Sequence, residues 1–89
     1  MDYDKIIHSF VDAFVVNKEA VMIRQMPTED EKEVVLLIVA EQEDTARLIG
    51  RKGIIADALR EVLSIAGKTE SKRIHLKFES FDVQNEDEE

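Results

Sequence analysis

"DTARLIGRKGIIADALREVLSIAG", residues 44–67, reads as two amphipathic helical pieces separated by Gly50-Arg51-Lys52-Gly53. Before the break, a short helix capped by Asp44 or Thr45 runs through Ile49. After it, Ile55, Leu59, Val62, Leu63 and Ala66 recur at helical spacing, and Gly67 can end the run. Gly50 stands where the first helix must stop; lacking a Cβ, it takes positive φ at little cost. Gly53 opens the second helix, where a missing side chain lets another backbone come close. The start of that helix presents unpaired amides and the positive end of a helix dipole. Arg51 and Lys52, held outward between the glycines, add two full charges. Turn, amides and cations converge on one anion site, and phosphate is its natural ligand.

The flanking segments supply the rest of a fold. "DYDKIIHSFVDAFV" places Tyr3, Ile6, Ile7, Phe10 and Phe14 on one helical stripe, predicting a helix over residues 3–16 started by Asp2 or Asp4 and closed by Asn17. "EAVMIRQM" predicts a strand with Val21 and Ile23 on one face and Met22, Arg24 and Met26 on the other. "PTEDEKE" is a polar loop. "VVLLIVA" is apolar without interruption, as expected of a strand buried on both faces, and the short loop makes these two strands a hairpin. "KRIHLKFE" alternates, with Ile74, Leu76 and Phe78 on one face and Arg73, His75, Lys77 and Glu79 on the other. The order α-β-β-α-α-β implies an α+β two-layer sandwich: a three-stranded sheet with helices packed on one face.

The chain has 89 residues, room for one small domain, read as residues 1–82 followed by an acidic disordered tail over 83–89. It contains no cysteine, which excludes disulfides and thiolate metal sites. The start carries no basic-then-apolar leader, and the longest apolar run falls far short of the roughly 20 residues that span a bilayer. These features predict a cytoplasmic protein with no membrane association. The formal net charge of −8 is unevenly spread: residues 45–77 are net basic, while both flanks are acidic. The break at residues 50–53 lies in the basic middle, and Lys68, Lys72, Arg73 and Lys77 either extend that positive surface or solvate the entry to the last strand.

"LIGRKGIIADALREVL" resembles the signature of KH domains, in which a G-x-x-G loop joins two helices and grips a nucleic-acid backbone. The element order matches the type II KH arrangement, and the short chain is similar to the small stand-alone bacterial KH proteins of the KhpA family. The resemblance covers about residues 3 to 80, and Ile49 through Gly53 is its most specific part. It implies that Gly50, Arg51, Lys52 and Gly53 hold phosphates, that Ile49 helps line a narrow base groove, and that Arg60 occupies a frequently basic position. It also implies single-stranded RNA as ligand, about four nucleotides per groove. Self-association, or pairing with a larger Jag-type KH protein, is implied as well. Ile54 stands where the family often has a basic residue, and Ala56 where it often has an aliphatic one.

From the residues themselves, Ile49, Ile54 and Ala58 lie near the loop and can wall a groove for bases. Phe10, Phe14 and Phe78 fall on core-facing stripes, so aromatic stacking is not expected to dominate. His8 and His75 lie in different elements, no zinc spacing occurs, and the glycine loop lacks the Walker spacing. No catalytic residues, metal, cofactor or small-molecule substrate are expected. The leading expectation is a non-enzymatic RNA-binding module. The alternative is a KH-shaped protein-interaction or dimerisation module with little RNA binding, favoured by the net charge and the missing cation at Ile54.

Overall fold

A computed structural model describes residues 2–81, so the tail expected to be disordered over 83–89 lies outside the described residues. The first helix, α1 (Tyr3–Phe14), starts where the Lys5 amide donates to the Asp2 carboxylate at 3.4 Å. It buries Tyr3, Ile7 and Val11, one residue per turn. It ends two residues before the stripe suggested. Val15 becomes extended and buries its side chain, and Asn17 sits at φ −101° instead of closing the helix in the left-handed region. The cause is tertiary: the amides of Val16 and Asn17 each donate to the Asp44 carboxylate at 3.0 Å. A short 3-10 turn, Lys18–Ala20, takes up the start of the expected first strand.

Three strands follow in the expected order: β1 (Met22–Met26), β2 (Glu33–Ala40) and β3 (Arg73–Ser80), with β2 central. β1 and β2 form the expected antiparallel hairpin, in register from Met22 opposite Val39 to Met26 opposite Val35. β2 and β3 run parallel, from Glu33 beside Arg73 to Ala40 beside Ser80. Parallel neighbours need a long crossover, and here it consists of α2 (Gln42–Ile49), a 3-10 turn at Arg51–Gly53, and α3 (Ile54–Lys68). Because α3 returns the chain to the start of β3, the glycine elbow lies toward the end of the sheet where the parallel strands finish.

The core joins Ile7 and Val11 of α1, Leu48 of α2 and Leu59 and Leu63 of α3 to Val34, Leu36, Ile38 and Leu76 of the sheet. Each fully buried leucine contributes roughly 1.5–3 kcal/mol through removal from water. The helices cover one face only, which corrects the expectation for β2. Val34, Leu36, Ile38 and Ala40 are buried, but Val35, Leu37 and Val39 are half-buried on the other face, where Met22 and Met26 pair beside them. The uninterrupted apolar run therefore serves a strand with one open side. The α+β architecture, mixed three-stranded sheet and α-β-β-α-α-β order agree with the type II KH arrangement expected from the sequence.

Among the described residues, no helix is long and apolar enough to cross a membrane, and no cluster of His, Cys, Asp or Glu could hold a metal ion.

Candidate nucleic-acid interface

The interruption in the sequence is an elbow between α2 and α3. Gly50 ends α2 at φ 81°, and its amide donates to the Ala46 carbonyl at 2.9 Å. A Cβ at Gly50 would fall 2.4 Å from Ile55 Cγ1 and 2.9 Å from the Ile55 amide nitrogen. Gly50 is thus required twice, by its backbone angle and by contact with the first turn of α3. Gly53 takes φ 78°, yet a Cβ there would meet nothing within 4 Å. The close approach within the chain is therefore at Gly50, while the space beside Gly53 is open. Gly53 occupies the N-cap position of α3 with no side chain to satisfy the first-turn amides.

Between the glycines, Lys52 lies in the left-handed region at φ 59°, ψ 21°. A residue with a Cβ pays roughly 1–2 kcal/mol for that conformation. Two hydrogen bonds hold the turn, from the Gly53 amide to the Gly50 carbonyl at 3.0 Å and from the Ile54 amide to the Arg51 carbonyl. Arg51 and Lys52 are both exposed. The strain keeps a cation at a position that glycine would occupy more comfortably.

α2 is anchored from below. Asp44 does not cap its own helix; Glu41 takes the N-cap position without a side-chain bond. Asp44 is instead buried, 2% exposed, and its carboxylate accepts from the Val16 and Asn17 amides and from Arg47 Nη1 at 2.5 Å. The Val16 hydrogen bond, with those from Asn17 and Arg47, outweighs burial and holds the carboxyl below the usual aspartate range. This acid ties the turn after α1 to α2 and so fixes the helix leading into the elbow.

The remaining residues singled out from the sequence lie on the two helices that flank the elbow. Ile49 is half-buried on the last turn of α2. Arg60 lies over the seam between α3 and β3: Nη2 donates to the Leu76 carbonyl at 3.3 Å, and the guanidinium stands 5.7 Å from the centre of the Phe78 ring. Asp57 Oδ1 is 3.6 Å from Arg60 Nη1. Ile54 and Ala58 are exposed on the other flank of α3, with Ala58 about 200° around the helix from Arg60. They form a single surface stripe with Val62 and Ile65, which are 41% and 59% exposed. Val62 is therefore not the core residue its spacing suggested. Phe14 is likewise 40% exposed, and Phe78 is half-buried beneath Arg60 rather than sealed in the core.

The sequence reading missed two clamps. Tyr3 donates its hydroxyl to Glu70 at 2.6 Å; burial and that carboxylate push the phenol pKa up to about 12. Glu33, on the open sheet face, accepts from both Arg73 and His75, and these bonds, the His75 one first, lower its pKa. Each joins residues at least 40 positions apart, so no local pattern announces it.

The KhpA/KhpB KH-domain family matches residues 4–78 of the chain. A curated relative, RNA-binding protein KhpA of Oceanobacillus iheyensis, is 34% identical over 71 residues, covering 80% of this chain and 92% of its own. No solved structure is a significant match. A glycine elbow set into a type II KH crossover, together with these two agreements along nearly the same span, places the chain in the KhpA/KhpB family of KH domains.

Proposed function

We propose that this protein is a non-enzymatic module for single-stranded RNA, with residues 50–53 gripping the phosphate backbone. The observation that carries the reading is the open space at Gly53, at the uncapped start of α3 and flanked by exposed Arg51 and Lys52. A phosphate there finds cations and helix-start donors without displacing any side chain. The kinship with a protein named for RNA binding supports the same reading. Bases would lie beside Ile49 at the end of α2 and along the seam marked by Arg60 and Phe78, where aliphatic, guanidinium and aromatic surfaces are available for stacking. Filter binding to a random RNA pool tests this. Wild-type protein should bind at micromolar concentration or tighter, and Arg51→Asp with Lys52→Asp should remove binding while leaving the melting temperature unchanged. Retained binding in the double variant overturns the grip.

A second reading has its own observation. The exposed stripe Ile54, Ala58, Val62 and Ile65 is apolar over the length of α3 and suits a protein surface. It would pair two copies, or one copy with a larger Jag-type KH protein. Sedimentation of wild-type protein against Val62→Glu tests it: dimers that dissociate in the variant support this stripe as an interface, and a wild-type monomer removes the homodimer.

A further inference from the structure

The far end of α3 holds a second cationic site. Lys32, Lys68, Ser71, Lys72 and Arg73 line a concavity of about 270 Å³ where α3 ends and β2 and β3 begin. The 15 residues of α3 separate it from the elbow by about 22 Å along the helix axis. Three lysines around one hollow stand out in a chain with a net charge of −8.

Helix capping does not explain them. The Ala66 carbonyl accepts from the Thr69 amide and hydroxyl, Gly67 from the Glu70 and Lys72 amides, and Lys68 from the Ser71 amide. Neighbouring acids give them no close ion pair either. Glu33 is engaged by Arg73 and His75, and Glu70 accepts from Tyr3 while feeling Lys72 only at longer range. Among the described residues, Lys32, Lys68 and Lys72 form no ion pair within 4.0 Å of a carboxylate.

The site also differs from the elbow in what it offers an anion. The Ser71, Lys72 and Arg73 amides already donate to carbonyls of Lys68, Gly67 and Lys32. No backbone cradle remains for a small free anion, only flexible ammonium groups acting as point charges. Such groups serve a polyanion that is already tethered nearby, because tethering supplies the effective concentration that weak contacts lack.

We infer that Lys32, Lys68 and Lys72 form a second phosphate-binding site, which takes the backbone of the RNA strand beyond the nucleotides held at the elbow. The inference rests on the elbow being an RNA grip. A tetranucleotide fills one groove; a strand long enough to reach the far end of α3 engages both sites.

The test compares a tetranucleotide with a strand of about 16 nucleotides, the upper site size of comparable single-strand binders. Wild-type protein is set against the triple variant Lys32→Gln, Lys68→Gln, Lys72→Gln. The wild-type protein should bind the long strand more tightly than the short one. The variant should lose at least about tenfold on the long strand. Its salt slope there should fall by about 2, near 0.7 for each phosphate contact removed. Tetranucleotide affinity should be unchanged, which also reports an intact fold. Equal long-strand affinity in both proteins overturns the second site alone, as does an equal loss on both lengths. A wild-type chain that binds neither RNA overturns the elbow grip and this site together.

Discussion

Gly67 and Gly53 sit at opposite ends of α3 in opposite surroundings. A Cβ at Gly67 would fall 2.6 Å from Ile74 Cγ1 and 2.8 Å from the Lys72 carbonyl, whereas one at Gly53 would meet nothing within 4 Å. The two turns otherwise share their materials. Each has a residue with a Cβ at φ 59°, Lys52 in one and Ser71 in the other, and each is ringed by cations. At Gly67 the chain itself fills the vacated space, so that glycine serves packing between α3 and β3. At Gly53 the space is left to whatever approaches from outside. Glycine in one helix therefore has two meanings, and surroundings rather than residue type separate them.

The most damaging change should be to the anchor that holds the elbow's side of this contrast. Asp44→Ala leaves two part-buried backbone amides and Arg47 without their acceptor and should cost about 3 kcal/mol in urea denaturation. Because the folded-state carboxyl is held below its ordinary pKa, its stabilisation is present above the unfolded value and fades as pH falls through the folded one. Asp44→Ala should therefore flatten the acid limb of the stability profile; an unaltered limb would assign acid sensitivity to other groups.

Gly67→Ala comes next. Overlap with Ile74 and a backbone carbonyl should cost about 2 kcal/mol, with tetranucleotide affinity preserved. Gly53→Ala should cost only about 1 kcal/mol of left-handed strain, yet weaken the same RNA by at least about tenfold, one lost charge-assisted hydrogen bond. If the two variants lose stability and affinity in the same proportion, the two glycines are not functionally distinct. Lys52→Gly should have the smallest effect on folding and the opposite sign. Relief of its φ should stabilise the protein by up to about 1 kcal/mol, while the RNA salt slope falls by about 0.7.

The order of elements and the position of the elbow were legible because both are local. Periods of about 3.6 and 2 are written into consecutive residues, and Gly50-Arg51-Lys52-Gly53 announces its own turn. What the sequence concealed depends on distant partners. Asp44 looks like a helix cap until the turn after α1 arrives to use its carboxylate. Val62 has core spacing, but α3 carries more apolar residues than its buried face can hold, so Val62 and Ile65 lie outside with Ile54. Val35, Leu37 and Val39 are as apolar as their buried neighbours, and only the placement of every helix on the other face distinguishes them. Gly67 looked like a stop because glycine so often closes helices; it packs against Ile74 inside α3, and Ser71 takes the positive φ beyond the helix end.

The central claim is that the elbow meets the phosphate chain, and an amide-resolved NMR titration with a single-stranded tetranucleotide addresses it most directly. The largest shifts should fall on Arg51 through Ala56, followed by the seam at Arg60, Leu76 and Phe78, with Val62, Ile65 and the open face of β2 undisturbed. Shifts centred on those last residues, with the amides of residues 50–56 unmoved, would contradict it.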